Sequence, residues 1–176
     1  LFRSVLAIAD KLQNSDAETA KEAYNLVLDR TQDRNLGNRA AAGLRALGAE
    51  EDLAARGGFI TRWELIGPFP KESFASAYPP ETEYKPDAAY SGAEGRQVAW
   101  QPWQVEDAMG VVDLDKILSP KERLIAYARA EISVEKTQDI ILRMGSDDGI
   151  AVWVNEEKVH ENNASRDLIV DEDAKP

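Results

Sequence analysis

Residues 140–160 read Ile-Ile-Leu-Arg-Met-Gly-Ser-Asp-Asp-Gly-Ile-Ala-Val-Trp-Val-Asn-Glu-Glu-Lys-Val-His and contain two apolar runs, 140–144 and 150–154. The runs flank a loop of small and acidic residues, in which Gly and Asp can adopt the positive φ angles of a tight reversal. The pattern therefore predicts a β-hairpin that pairs the two runs. A second reversal at 155–157 would start a third strand at 158–160, so the whole segment predicts a β-meander.

Two segments of the chain are similar to sequences of a known family. The first is Ser146-Asp147-Asp148-Gly149, followed by Val152-Trp153-Val154-Asn155 and Val159, and the second is the run 63–70, Trp-Glu-Leu-Ile-Gly-Pro-Phe-Pro. They resemble the core hairpin and the opening strand of PA14-like and related galactose-binding-like jelly-roll modules, over about residues 59–176. Such modules are all-β sandwiches in larger, mostly extracytoplasmic bacterial proteins, many of them carbohydrate-active. The resemblance implies a mainly β fold, an antiparallel β-sandwich of jelly-roll type.

The chain departs from the family pattern at two places. Glu156 stands where these modules usually carry Gly, so it must accept a positive φ or change the type of turn. After a short apolar run at 168–170, the closing strands of the family have no counterpart. A sandwich without them would leave open edges. We therefore expect the protein to continue past Pro176, or another chain to cover the gap.

Composition limits the classes of function. The chain has 21 Lys and Arg against 32 Asp and Glu, a formal net charge of −11, which disfavours nucleic acid as a partner. It has no cysteine, so disulfides and thiolate sites are excluded. No apolar run approaches the roughly 20 residues of a membrane helix, so membrane insertion is not expected. The chain begins at Leu1 without a Met or a basic leader, so we expect it to be part of a longer protein.

The N-terminal part, residues 1–56, has the apolar spacing of three short helices and forms a small α-helical segment. Asn14-Ser15-Asp16 offers a break and an N-cap for the second helix, Asn35 is suited to cap the third, and Gly48 to end it. The segment resembles the end of a HEAT- or TPR-like helical repeat, and a small bundle packed on the next domain fits equally well. Residues 57–176 would form the β-sandwich, without its final strands.

Within 57–176 the sequence predicts short extended segments separated by loops. These are 59–66, 98–103, 110–114, 124–134 and 168–170, with a turn at 118–120. Residues 70–95 are rich in Pro, Ser and Ala and carry Tyr78, Tyr84 and Tyr90. Loops of this length tend to be functional or mobile.

Asp147 and Asp148 are the candidate metal ligands. Two adjacent carboxylates in a Gly-flanked loop can turn hard oxygen ligands toward one point, which suits Ca²⁺. In a lectin-like branch of the PA14 family, the corresponding pair binds Ca²⁺ and, through it, sugar hydroxyls. The alternative is that both carboxylates accept backbone N–H bonds and hold the loop.

Trp100 and Trp103 are the candidate sugar-stacking residues, because an exposed indole packs on the apolar face of a sugar ring. The alternative is packing in the core or at a sheet edge, which is also the expected role of Trp153. His160 has no obvious Ser or Asp partner in the sequence and reads as a surface or satisfied histidine rather than a base.

The resemblance thus implies a non-catalytic accessory module of a larger exported bacterial protein, in the periplasm or secreted, that binds carbohydrate beside neighbouring domains of the same polypeptide. A structural or protein-interaction module without a sugar ligand is the alternative. An enzyme acting on glycosides has the weakest support, because no carboxylate pair lies in an apolar setting that would raise its pKa.

Overall fold

A computed structural model describes residues 1–118 and 123–175 of the chain. Helices account for 30% of the residues and strands for 25%, and the strands form small separate sheets of two or three members. The prediction of a mainly β fold built on a jelly-roll sandwich is therefore wrong. Its physical basis fails because each ladder pairs only three to five residues per strand, and the helices have a hydrophobic core of their own.

Helices form where the apolar spacing predicts them. They are α1 (Phe2–Leu12), α2 (Ala17–Leu28), α3 (Arg34–Ala46) and α4 (Leu53–Arg56). Asp16 caps α2 as predicted, because its carboxylate accepts from the backbone N–H of Thr19. The cap of α3 is Asp33 instead of the predicted Asn35, since the Asp33 carboxylate accepts two backbone N–H bonds of the first turn.

The apolar faces of these helices form a common core. Its buried members are Leu6, Ala9, Ala20, Tyr24, Val27, Ala40, Ala41, Leu44, Leu53 and Ala108. Tyr24 is the largest of them, and its hydroxyl donates to Asp10 Oδ1 at 2.7 Å. Burial raises the pKa of this phenol to about 12. Gly43 of α3 allows the close approach of α2, because a Cβ there would lie 2.6 Å from Tyr24 Cε1.

The remaining chain consists mostly of strands. They are β1 (Arg62–Pro70), β2 (Ala89–Ser91), β3 (Gln97–Ala99), β4 (Gln101–Gln104), β5 (Leu124–Arg129), β6 (Leu142–Met144), β7 (Ile150–Val154), β8 (Glu157–Asn162) and β9 (Asp173–Lys175). The three-stranded sheet has the order β4-β1-β5, with both neighbours antiparallel to β1. The other strands pair as β2 with β3, β6 with β9 and β7 with β8. Short helices α5 (Pro79–Thr82) and α6 (Leu114–Ile117) and a 3₁₀ turn at Ala93–Gly95 lie between them.

The second of the two predicted reversals is confirmed. Strands β7 and β8 form a hairpin in which Val154 lies opposite Glu157, so Asn155 and Glu156 are its two-residue loop. Their φ angles are 48° and 72°, which makes the loop a type I′ turn. Glu156 thus adopts the positive φ for which the family uses Gly.

The first predicted reversal is wrong, because β6 pairs with β9 and not with β7. The loop between β6 and β7 is tied to a later segment, where the N–H of Asp148 donates to the carbonyl of Arg166 at 2.9 Å. Its glycines serve close packing: a Cβ on Gly145 would collide with the Ile169 carbonyl, and one on Gly149 would lie 2.6 Å from the Phe74 ring. Only Asp148, with φ 60°, has the left-handed conformation in this loop.

Three smaller predictions have other outcomes. The expected extended segment at 110–114 is absent, since Asp113 caps α6 by accepting from the N–H of Lys116. The run 168–170 is not a strand, and the strand near that end is β9. The turn expected at 118–120 falls partly on residues 119–122, which lie outside the described residues.

The loop between β4 and α6 packs against the helices. Arg34 Nε and Asn38 Nδ2 of α3 donate to Asp107 Oδ2 at 2.7 and 2.9 Å, and the N–H of Ala108 donates to Asn38 Oδ1 at 2.9 Å. Ala108 itself is buried in the helical core. The expected boundary between the helical segment and the strands, near residue 56, coincides with the end of α4. The core of the helices nevertheless includes Ala108, from the loop after β4.

Candidate functional site

The register of the three-stranded sheet brings two opposite charges together. Glu64 of β1 lies directly opposite Arg129 of β5, and Arg129 Nη1 donates to Glu64 Oε2 at 2.7 Å. Since partners across an antiparallel pair share a face of the sheet, both side chains project on the same side. Each is about one third exposed. A charged pair is therefore held at the surface by the pairing of the strands.

Tyr84, from the long segment 70–95, lies over this pair. Its hydroxyl donates to Glu64, at 2.7 Å from Oε1 and 2.9 Å from Oε2, and its ring centroid is 3.9 Å from Arg129 Cζ. The hydrogen bond to Glu64 raises the pKa of the phenol, which keeps it neutral. Trp100 meets the ring edge-on, with 5.5 Å between centroids. We call Glu64, Tyr84, Trp100 and Arg129 the Tyr84 patch.

An aromatic cluster beneath the patch anchors the segment that carries Tyr84. Tyr78 stacks on Phe69 of β1 with 4.6 Å between centroids. Tyr127 of β5 accepts from the N–H of Tyr78 and donates to Glu81 Oε2, both at 3.1 Å. Burial raises the pKa of Tyr127 to about 12, so this phenol also remains a neutral donor. Tyr84 follows α5 directly and is thereby fixed in position, while 39% of its surface stays exposed.

The two predicted stacking residues lie on opposite faces of the sheet. Trp103 is opposite Trp63 on β1, and neighbouring positions of a strand point to opposite sides, so Trp103 is turned away from Glu64. It is 38% exposed. Trp100 lies on the Glu64 side, and its Nε1 is buried without a partner among the described residues. Only its ring is therefore available to the patch.

The predicted metal ligands, Asp147 and Asp148, are both exposed. Among the described residues, neither carboxylate accepts a hydrogen bond, and no group of three or more His, Cys, Asp or Glu could hold a metal ion. The loop is held by other atoms: Ser146 Oγ donates to the Asp148 carbonyl at 2.9 Å, and Arg166 Nη2 donates to Ser146 Oγ at 3.0 Å. Calcium binding here stays a prediction.

His160 belongs to a partly buried ionic cluster that ties β8 to β9. Its Nε2 lies 3.2 Å from Asp173 Oδ2, which also accepts from Arg166 Nη2 at 2.6 Å. Arg166 Nη1 lies 3.0 Å from Glu172 Oε2. The hydrogen bond from Arg166, followed by that with His160, holds the pKa of Asp173 below its usual 3.8. The partner of His160 is 13 residues away in sequence, and this hydrogen bond gives the histidine a structural role.

A cleft of about 460 Å³ lies between the start of α3 and residues 168–169. Its two charged lining residues are already engaged. Asp33 caps α3, and Arg34 is paired with Asp107 at 2.7 Å. Both charged side chains that line the cleft therefore already have partners within the protein, and the Tyr84 patch is the better candidate for ligand binding.

Three residues of the patch were missed in the sequence: Glu64, Tyr84 and Arg129. Tyr84 stood in the tyrosine series of 70–95, a sign that this loop carries function. Glu64 gave a weaker signal, as a charge between the apolar residues of β1. Nothing local pointed to Arg129, because its role depends on the register between β1 and β5.

The chain was compared with known proteins in sequence and in structure. No protein-family model, no curated protein and no solved structure matches it. In the parts of the chain that the structure describes, no helix has the length and apolar character needed to cross a membrane.

Proposed function

We propose that the chain is a non-catalytic carbohydrate-binding module and that the Tyr84 patch is its sugar-binding surface. The observation that carries this proposal is a half-exposed tyrosine ring fixed beside a partly exposed carboxylate and guanidinium. A sugar presents apolar C–H faces and a rim of hydroxyls. An aromatic ring packs on the former, and a few fixed polar groups orient the latter.

The polar groups of the patch retain hydrogen-bonding capacity for a ligand. A carboxylate has about four lone-pair sites, and among the described residues those of Glu64 accept from two groups, Tyr84 and Arg129. A guanidinium has about five N–H donors, of which Arg129 uses one toward Glu64 and one toward Glu131. An acceptor and several donors therefore lie beside one ring, which suits the mixed donor and acceptor character of sugar hydroxyls.

The wider role follows the resemblance of the sequence. The segments at 63–70 and 146–155 are similar to PA14-like modules, so we propose an accessory module of a larger exported bacterial protein. It would act outside the cytoplasm and place neighbouring domains of the same polypeptide on a glycan. The jelly-roll sandwich is not part of this proposal.

A glycan array followed by titration calorimetry tests the proposal. Tyr84→Ala should weaken binding of any array hit by at least about tenfold, because it removes the stacking ring, worth about 1.4 kcal/mol or more. Trp103→Ala is the matched control, since it removes an equally exposed aromatic from the opposite face and should leave affinity unchanged. Circular dichroism checks that both variants fold. An array without hits refutes the function, and loss of binding in Trp103→Ala alone refutes the assignment to the patch.

One observation favours a second candidate function, a protein-interaction module. The segment between β5 and β6 carries exposed apolar side chains, namely Ile132, Val134, Ile140 and Ile141. A run of this kind is typical of a surface that another polypeptide covers. Light scattering of the purified chain tests this: association that Ile141→Ser reduces would support it, and a monomer at all concentrations would count against self-association.

A further inference from the structure

We infer that the Tyr84 patch selects uncharged glycans over acidic ones and that Glu64 is the residue that determines this specificity. The inference rests on the proposed sugar-binding function and deepens it by naming the ligand class. Acidic glycans here are those with uronic, sialic or sulfate groups. The argument comes from the charges that surround the exposed ring of Tyr84.

The positive charge of Arg129 is already balanced inside the protein. Its Nη1 lies 2.7 Å from Glu64 and its Nη2 lies 3.4 Å from Glu131. Asp87 is close enough to act electrostatically on Tyr84. Arg62, two positions from Glu64 along β1, lies on the same face of the strand. The Glu64 and Arg129 charges of the patch cancel, and with Glu131, Asp87 and Arg62 beside it the three carboxylates and two guanidinium groups sum to one negative charge.

Glu64 is the carboxylate nearest to the place of a stacked ligand. The Tyr84 hydroxyl donates to this carboxylate, at 2.7 Å from one oxygen and 2.9 Å from the other, and Arg129 Nη1 donates to it at 2.7 Å, so the carboxylate is held beside the tyrosine ring. An acidic ligand that reached for Arg129 would have to displace Glu64 or lie beside it. Like charges at such separation repel, and the whole chain, at net −11, adds to the repulsion.

A neutral sugar meets the opposite situation. Its hydroxyls donate to the remaining lone pairs of Glu64 and accept from the unused N–H groups of Arg129. Hydrogen bonds that involve a charged partner are stronger than neutral ones. The same ion pair that repels acids therefore strengthens binding of an uncharged ligand.

The test compares glycans that differ only in a charged group: oligomers of galactose with oligomers of galacturonic acid, oligomers of glucose with oligomers of glucuronic acid, and lactose with lactose 3′-sulfate. Affinities are measured for the wild type, for Glu64→Gln, and for Glu157→Gln on the distant β8 as a control for net charge. The wild type should bind the neutral member at least about tenfold more tightly, equivalent to about 1.4 kcal/mol. Glu64→Gln should reduce the ratio of neutral to acidic affinity about tenfold, and Glu157→Gln should leave this ratio unchanged. Raising the salt concentration should also reduce the ratio of neutral to acidic affinity, because exposed charges are screened.

The outcomes separate the two levels of the proposal. If the wild type binds acidic members as tightly as neutral ones, or if Glu64→Gln leaves the ratio unchanged, the specificity inference is overturned while sugar binding stands. If no member of any pair binds to the wild type, the proposed function is overturned and the inference with it. If the circular dichroism spectrum of Glu64→Gln matches that of the wild type, a reduced preference for neutral glycans reflects the lost charge and not a change of fold.

Discussion

Replacing Glu156 by Gly should stabilise the protein. Glu156 has φ 72° in the turn between β7 and β8, a conformation in which the Cβ of an L-residue crowds the following carbonyl. That crowding costs roughly 1–2 kcal/mol. Glycine removes it but loses roughly 0.5–1 kcal/mol through the greater freedom of the unfolded chain. The net expectation is a gain of about 0.75 kcal/mol in the free energy of unfolding, within a range of about 0–1.5 kcal/mol.

Glu157→Gly is the matched control for this prediction. It removes the same side chain and the same charge one position later, at a residue of β8 that lies outside the positive-φ positions. Here glycine relieves no strain, so only its entropic cost of about 0.5–1 kcal/mol remains and the protein is destabilised. Urea titrations measure both variants under the same conditions. In thermal melts a change of 1 kcal/mol corresponds to about 2–4 °C in a chain of this size. Equal midpoints for the two glycine variants would show that the backbone at Glu156 carries no strain.

Gly43→Ala should lower the free energy of unfolding by about 1–3 kcal/mol in a urea titration, since the new methyl group meets the buried ring of Tyr24; wild-type stability would contradict the tight α2–α3 packing. The carboxylate of Asp173 has a lowered pKa because of Arg166, so its contribution to stability is present above the unfolded pKa near 3.8 and is lost as the pH falls through the lower folded value. Unfolding titrations from pH 7 to pH 3 should therefore show a shallower loss for Asp173→Asn than for the wild type, and parallel curves would refute the linkage. If the loop of Asp147 binds calcium, Ca²⁺ should raise the thermal midpoint and EDTA reverse it, and one midpoint in both conditions removes the metal hypothesis.

Local signals in the sequence were sufficient to locate the three longest helices, α1, α2 and α3. Asp16 and Gly48 could be placed because a cap and a left-handed stop act within one turn of the chain. The cap of α3 was assigned two residues too late, at Asn35, since both polar residues fit the pattern. The Asp33 carboxylate forms the cap because it reaches two free N–H groups at once.

The pairing of strand β6 could not be predicted from local signals in the sequence. Apolar runs identify β6 and β7 as extended, but the partner of β6 is the distant β9, where Asp173 lies opposite Met144, and the loop after β6 is tied to the carbonyl of Arg166. The glycines of the loop were interpreted as turn formers, whereas Gly145 and Gly149 serve close contacts that only the folded chain creates.

The candidate site was predictable to a similar degree. Trp100 was named as a stacking residue and lies in the patch, while Trp103, named with it, lies on the other face of the sheet. Glu64 and Arg129 each have the sequence character of an ordinary surface charge. Their apposition is a property of register, which a single sequence does not display.

The loop that carries Asp107 and Ala108 also determines when the packing of the N-terminal helices is completed during folding. Asn38 and Asp107 are separated by 69 positions, so closing this contact requires a large loop and slows folding. During synthesis at roughly 5–20 residues per second, α3 waits on the order of 3–14 s for that loop to leave the ribosome. The helices at the start of the chain therefore reach their final packing only after β1 and β4 have been made.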